Sequence, residues 1–457
     1  MTRIVVIGGD AAGASAASQI KRRRPDWDVV MIDRGTHTSY AACGLPYWVA
    51  GEIGEEDSLI ARTPAAHRTN GIDVRMSTEA TALDLDAQSV QVHSAQTDAE
   101  ESIGFDHVVI ATGAAPVVPP IPGADAANVG VVHTIDGTRA LLERTLALAD
   151  GEPPRRAVVV GAGFIGVEMA EAFGSRGLSV TVIDLADGPM TSLDADMSTL
   201  LQRVMETQGI DCQFGQAVRA IEVGTDGLAT AVTTDAGTYP ADIVVLALGV
   251  RPNTSIAVEA GLPTGSAGGL LTDRSQHVQG HANIWAAGDC TEPFHRLLRR
   301  PVFLPLGTHA NKQGRVAGMN IAGGCLTFEG VIGTAITRVG NAHVARTGLT
   351  EREAAAEGLP YVSAMTQTAV IAHYMPDSGQ MAVKVVADAA SGRLLGGQIL
   401  GDSALAAKRI DTLATAVWTG MTAEELTGAD LSYAPPVSPV WDPVQTAARQ
   451  IAGKLQR

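Results

Sequence analysis

Cysteine is scarce in this chain, with four in 457 residues, at Cys43, Cys212, Cys290 and Cys325. They lie far apart and match no metal-ligand spacing, so no metal site is expected, and the simplest setting is reduced and cytoplasmic. Basic residues are also in deficit, 33 against 49 acids, which leaves a formal charge of -16. Binding a nucleic acid draws on counterion release to a basic surface, so an acidic chain argues against that partner. No apolar run is long enough to cross a bilayer, so no membrane association is expected. Met1 leads at once into Ile4-Val5-Val6-Ile7-Gly8, a strand and glycine turn that leave no room for a signal peptide. With 46% hydrophobic and 18% charged residues, the composition is that of an ordinary folded enzyme, and the length suggests two or three domains.

Glycine is plentiful, at 50 residues without period, and two glycine clusters repeat one grammar. A strand over residues 3–7 runs into Gly8-Gly9-Asp10-Ala11-Ala12-Gly13, a small-residue helix follows, and a strand over 29–32 ends in Asp33, with Arg34 next. Later, a strand over 157–160 runs into Gly161-Ala162-Gly163-Phe164-Ile165-Gly166, and a strand over 180–183 ends in Asp184. Each is a βαβ unit with a glycine turn, a helix N-terminus aimed at a pyrophosphate and an acid for a ribose hydroxyl. One such turn alone is weak evidence; two complete units predict two bound dinucleotides. The first turn carries Asp10 where a middle glycine is usual, and that side chain is expected to turn away from phosphate or to cap the helix.

Breakers at residues 119–123 and 151–154 flank the second unit, and residues 242–249 read as a buried strand leading back through a turn at 250–253. Beyond about Gly324, alternating runs such as His343-Val344-Ala345-Arg346 predict an antiparallel sheet with helices.

With these motifs in hand, the chain resembles the FAD-dependent pyridine nucleotide-disulfide oxidoreductases over essentially its full length. Further matches are Ala111-Thr112-Gly113 at a strand end, Ala286-Ala287-Gly288-Asp289, and Ala310-Asn311-Lys312-Gln313-Gly314. The resemblance implies an α/β fold with two Rossmann-like dinucleotide-binding domains, glutathione-reductase-like, plus a C-terminal α+β dimerisation domain. The expected division is FAD at 1–113 and 251–324, NAD(P)H at 114–250, and dimerisation at 325–457. It further implies that Asp289 holds the flavin ribityl chain, that Ala310 and Asn311 line the flavin edge, and that Phe164, Glu168 and Gly249 contribute to the nicotinamide side.

Within that superfamily the chain most resembles the single-cysteine group of coenzyme A disulfide reductases, NADH oxidases and NADH peroxidases. Cys43 stands in Ser39-Tyr40-Ala41-Ala42-Cys43-Gly44-Leu45-Pro46-Tyr47-Trp48, and the place of a second thiol, five residues on, is Trp48. A lone thiol stores oxidising equivalents as a sulfenic acid or a mixed disulfide. The peroxide-handling members carry a histidine where this chain has Ala11, which favours the disulfide reductases. Leu431-Ser432-Tyr433-Ala434-Pro435-Pro436 resembles the segment that delivers a tyrosine across the dimer interface, whereas Met375 replaces the second tyrosine expected after His373-Tyr374. His309 interrupts the flavin-edge motif.

Leu45, Trp48 and Val49 fall at helical spacing with Pro46 in an early turn, so Cys43 is expected to precede or open a helix whose positive end lowers its thiol pKa. Tyr433 is the candidate proton donor to a departing thiol. Lys21-Arg22-Arg23-Arg24 is the one strong basic cluster; it reads either as a solvated helix end or, through Arg22 or Arg23, as a phosphate clamp for coenzyme A, with Ser39 beside the thiol as a further contact. The leading expectation is a homodimeric NADH-dependent reductase of coenzyme A disulfide, persulfide or a related small disulfide. Rivals are an NADH oxidase, an electron-transfer flavoprotein serving a protein partner, and a redox sensor. NADH is expected over NADPH, because Asp184 repels a 2′-phosphate and Leu185-Ala186-Asp187 supply no arginine.

Overall fold

A computed structural model describes residues 1–149 and 155–456; the breaker at 151–154 lies outside the described residues. The first βαβ unit builds a five-stranded parallel sheet in the order Ile284–Ala286, His107–Ile110, Arg3–Ile7, Asp28–Ile32, Asp73–Arg75. Its central strand is apolar on both faces, as a sheet covered on both sides requires. One outer strand comes from far downstream, so the chain leaves this sheet and returns to it.

The excursion contains a second five-stranded parallel sheet, in the order Asp211–Phe214, Ser179–Asp184, Arg156–Val160, Ile243–Leu246, Val129–Gly130. A three-stranded antiparallel sheet accompanies each parallel one. The crossing between them is itself a ladder: Ala114–Pro116 pairs antiparallel with Val250–Pro252, so the segment expected to be a turn at 250–253 is largely a strand. Two chain segments that pass the same point in opposite directions can satisfy each other's amides there.

The C-terminal sheet is antiparallel, in the order Ala335–Val339, Ala342–Gly348, Leu394–Gly401, Gln380–Asp388, Tyr361–Ala369, with the Ile410–Thr419 and Pro443–Leu455 helices packed on it. Its junction with the second unit is polar and buried. Lys384 is 3% exposed and ion-paired with Asp194, Asp196 and Glu351, while Gln398 donates to Asp194. A buried ammonium needs such neutralisation to remain charged. No helix among the described residues is long and apolar enough to cross a membrane.

Candidate active site

The first glycine turn is shaped by backbone contacts. Gly8 has φ +105°, and a Cβ there would lie 2.1 Å from the Ala111 carbonyl oxygen. A Cβ on Gly13 would fall 1.9 Å from the Gly8 oxygen, which is how the Ala11–Arg23 helix comes so close to the strand. Asp33 accepts from the Gly9 and Gly35 amides, each at 2.7 Å, and so fastens the turn to the next strand. Gly8, Asp33, Arg34 and Thr112 line a cleft of about 200 Å³ beside Asn253. Gly113 follows with φ +67° and accepts from the Asn253 amide. Asp289 accepts no hydrogen bond within the protein among the described residues, and burial pushes its carboxyl up to about 6. A half-buried carboxyl without a partner at that place fits a hydroxyl-bearing ribityl chain, and the residues present suit FAD.

The second turn repeats the pattern. Gly161 has φ +102°, a Cβ on Gly166 would meet the Gly161 oxygen at 1.9 Å, and Asp184 accepts from Ala162 at 2.6 Å and Ala186 at 2.8 Å. Phe164 and Ile165 open the Phe164–Ser175 helix, which carries Glu168 one turn on. Glu168 accepts from the Thr337 hydroxyl at 2.5 Å, and burial pushes its carboxyl up. Gly249 has φ +88°.

Cys43 lies in the 3-10 turn Ala42–Gly44, immediately before the Leu45–Ala50 helix, and is exposed. Leu45, Trp48 and Val49 are buried in a cluster with Ala170 and Phe173 of the second unit. Trp48, 5% exposed, therefore fills the place of a second thiol with packing that joins the two units. Arg176 donates to the Val49 carbonyl from the same side. The expected lowering of the Cys43 pKa is corrected here: burial first, then Glu168, Asp289 and Asp10, push the thiol up. The six-residue helix provides a weak dipole, and the partial enclosure of the sulfur, followed by three nearby acids, acts in the opposite direction. Burial also pushes Cys212 up to about 12 and Cys290 up to about 11.

Beside the Cys43 loop opens a cavity of about 450 Å³. One wall is a single face of the Ala11–Arg23 helix, with Ser15, Ser18, Gln19 and Arg22 at i, i+3, i+4 and i+7. The Gly307–Ile321 helix contributes Asn311 and Arg315, and Arg62 and His67 come from the loop and helix between. None of Arg22, Arg62 and Arg315 is ion-paired among the described residues. Arg22 donates to Gln19 and Arg62 to Ser18. Ser39 reaches the cavity from φ +53° and is hydrogen-bonded to His67 Nε2 at 2.9 Å. His67 is buried, and burial pulls it down to about 4.

The basic cluster thus divides. Arg22 and Arg23 are both exposed, and of the two it is Arg22 that lines the cavity. Lys21 donates to the Pro25 and Trp27 carbonyls and closes the helix end. Arg62, Arg315 and His67 escaped sequence reasoning. Arg315 stands one helical turn after Asn311 and the Ser15-to-Arg22 face was readable as spacing, but nothing local marked Arg62. Ala11 and Ala12 begin the first helix, and Ala12 packs on Ala287 and Ala310. His309 is buried with Nδ1 at 3.2 Å from the Leu304 carbonyl, and burial pulls it down. Tyr433 is 49% exposed, and its hydroxyl stands 3.5 Å from that of Tyr374; within one chain it makes no hydrogen bond to the Cys43 loop.

Two parallel nucleotide-binding sheets, an exposed Cys43 on the loop that packs between them and an antiparallel third sheet define a flavin- and nicotinamide-dependent oxidoreductase. The chain belongs to the pyridine nucleotide-disulphide oxidoreductase family: that family's model matches residues 2–343, and the model of its dimerisation domain matches residues 334–443. It is 36% identical over 449 residues to an NAD(P)H coenzyme A polysulfide/persulfide reductase of Pyrococcus horikoshii, covering 98% of each chain. It is 34% identical over 456 residues to an NADH oxidase of Methanocaldococcus jannaschii, covering 99% of each. Among solved structures, an NAD-dependent persulfide reductase from A. fulgidus superposes with a TM-score of 0.95 at 36% identity, over 100% of this chain and 84% of that one.

Proposed function

We propose that the protein is a homodimeric NADH-dependent reductase of coenzyme A disulfide, coenzyme A persulfide or a closely related small disulfide, acting through Cys43. The carrying observation is the cavity: a chain of charge -16 gathers three guanidiniums without carboxylate partners around 450 Å³ beside the loop, Ser39 to Ala41, that leads to the exposed Cys43 thiol. Arginines left unpaired at a pocket suit a substrate that brings its own phosphates. The names of the relatives support the same substrate class.

In this reading residues 1–113 and 251–324 hold FAD, 114–250 hold NADH and 325–457 form the dimer. The first turn, Gly8 to Gly13, and Asp33 bind the flavin nucleotide, while Asp289, Ala310 and Asn311 bind its ribityl and ring portions. Gly161, Gly163, Gly166 and Asp184 bind NADH, with Asp184 selecting against the 2′-phosphate. Bound FAD supplies the two-electron relay between nicotinamide and sulfur. Cys43 attacks one sulfur of the disulfide, forms a mixed disulfide and releases one thiol. Arg22 or Arg23 and Ser39 orient the substrate, and Tyr433 from the neighbouring subunit is a candidate proton donor to a departing thiol.

Cys43→Ser tests this reading. The variant is expected to keep FAD and to accept hydride from NADH in stopped flow, and to lose turnover of coenzyme A disulfide. Serine is nearly isosteric but forms no mixed disulfide. Full disulfide reductase activity in the variant would refute the role of Cys43. NADH turnover by the wild type with oxygen alone, and not with coenzyme A disulfide, would favour the oxidase reading instead.

A further inference from the structure

The first glycine turn carries Asp10 where the second has its middle glycine, Gly163, and the structure shows where that side chain goes. Asp10 has φ -99° and ψ -153°, ordinary extended backbone, so no glycine is needed there. Its side chain makes no capping bond to the Ala11–Arg23 helix. It turns instead toward the Cys43 loop, where it accepts from the Tyr40 amide at 3.1 Å. Asp10 is the one carboxyl lining the substrate cavity among the described residues, facing a set that includes three arginines. It is also close enough to Cys43 for its charge to oppose formation of the thiolate. The cavity meets the Cys43 loop at Tyr40 and Ala41, and the bond to the Tyr40 amide fixes the Asp10 carboxyl at that junction.

Resting on the reading of the cavity as a small-disulfide site, we propose that Asp10 is a catalytic residue, the general acid that protonates the first departing thiol. In that step the Cys43 thiolate bonds to one substrate sulfur and the substrate S–S bond breaks. The departing thiolate takes the proton of the Asp10 carboxyl and leaves as a neutral thiol. Asp10 is left as a carboxylate and regains its proton from water through the cavity. No electrons are gained or lost overall, since the step exchanges one disulfide for another.

The surroundings suit the role. Burial, with Asp33 and Asp289 nearby, pushes the Asp10 carboxyl up to about 7, against the lowering effect of the Tyr40 and Ala11 amides. A general acid works best with its pKa near the working pH. The other titratable and charged groups facing this corner are Cys43 and Tyr40 on the loop, Asp33 and Asp289 at strand ends, His67 on the Pro64–Thr69 helix, and Arg22, Arg62 and Arg315 around the cavity. His67, pulled down to about 4, does not titrate near neutrality, whereas Asp289 is pushed up to about 6.

The test compares two disulfides in the holoenzyme: coenzyme A disulfide, whose thiol is a weak acid, and 5,5′-dithiobis(2-nitrobenzoate), whose aromatic thiol leaves without needing a proton. Asp10→Asn is expected to lower kcat with coenzyme A disulfide on the order of 10²-fold. With the aromatic disulfide the loss should shrink to within about threefold, because a good leaving group needs no acid. Equal losses with both substrates, or no loss with coenzyme A disulfide, would overturn the role of Asp10 alone. A wild type inert toward both disulfides would overturn the reading of the cavity as well. Should Asp10→Asn lose flavin, the wild-type pH profile decides. A fall in rate as pH rises through about 7, seen with coenzyme A disulfide and absent with the aromatic one, supports the assignment. Its presence with both substrates would overturn it.

Discussion

The two dinucleotide units are nearly superposable as chemistry. In each, the first glycine has φ just above +100°, the last leaves a Cβ no space beside a backbone oxygen, and a strand-end acid accepts from two amides of its own loops. They part at the middle position. Gly163 has φ -75° and nothing within 4 Å of an added Cβ, whereas the first unit carries Asp10 there. Neither turn therefore needs a middle glycine for its own backbone or packing. The added Cβ at Gly163 would face open space, whereas Asp10 lines a cavity.

The comparison can be broken at its tightest point. Gly13→Val and Gly166→Val would each drive a side chain into a backbone carbonyl, and each should cost about 3 kcal/mol or abolish folding of its unit. Flavin content should collapse in the first and NADH affinity in the second. Retention of both ligands in either variant would mean that the close helix–strand approach is dispensable.

Asp33→Ala and Asp184→Ala come next. Each strands two loop amides, at about 1–3 kcal/mol per unsatisfied buried group. Flavin loss is expected from the first, and from the second a raised KM for NADH with narrowed discrimination against NADPH. Unchanged nucleotide preference in Asp184→Ala would remove Asp184 as the selector.

Acid should expose an asymmetry, because His67 lies buried beneath the cavity of the first unit. Its pKa is lowered to about 4, so the unfolded chain takes up a proton first as pH falls. The associated stability is complete above about 6.5 and is lost as pH drops through 4. His67→Phe should therefore narrow the fall in Tm between pH 7 and pH 4.5, by the equivalent of about 1–2 kcal/mol. An unaltered pH dependence would show that another group controls acid sensitivity.

Gly163→Ala should have the smallest effect on stability, within about 0.5 kcal/mol, since its Cβ meets only open space. A several-fold rise in KM for NADH would place the pyrophosphate against that backbone. No change in KM would place it elsewhere.

Much of this was legible in advance because it is local. A glycine with positive φ, a small-residue helix and an acid about twenty residues on are all set by backbone sterics, and so both βαβ units and the antiparallel C-terminal sheet could be read from spacing. The helix after Cys43 was legible from Leu45, Trp48 and Val49. The Cys43 thiol was misread, because its neighbours Glu168 and Asp289 come from distant segments while the helix dipole is the one effect visible locally. The strand at Val250–Pro252 was missed because its partner, Ala114–Pro116, is more than a hundred residues away.

By itself the sequence determined that this chain binds two dinucleotides, that Cys43 has Trp48 in place of a second thiol, and that an acid rather than an arginine stands at Asp184. Those are statements about residues within one turn or one βαβ unit, where chain connectivity fixes the distance. Tertiary structure alone decided that Arg22 lines the cavity, that Arg62 and Arg315 join it, and that the Asp10 side chain reaches across to the Tyr40 amide. Each of these depends on which face of a helix meets which loop, and packing between distant segments sets that orientation.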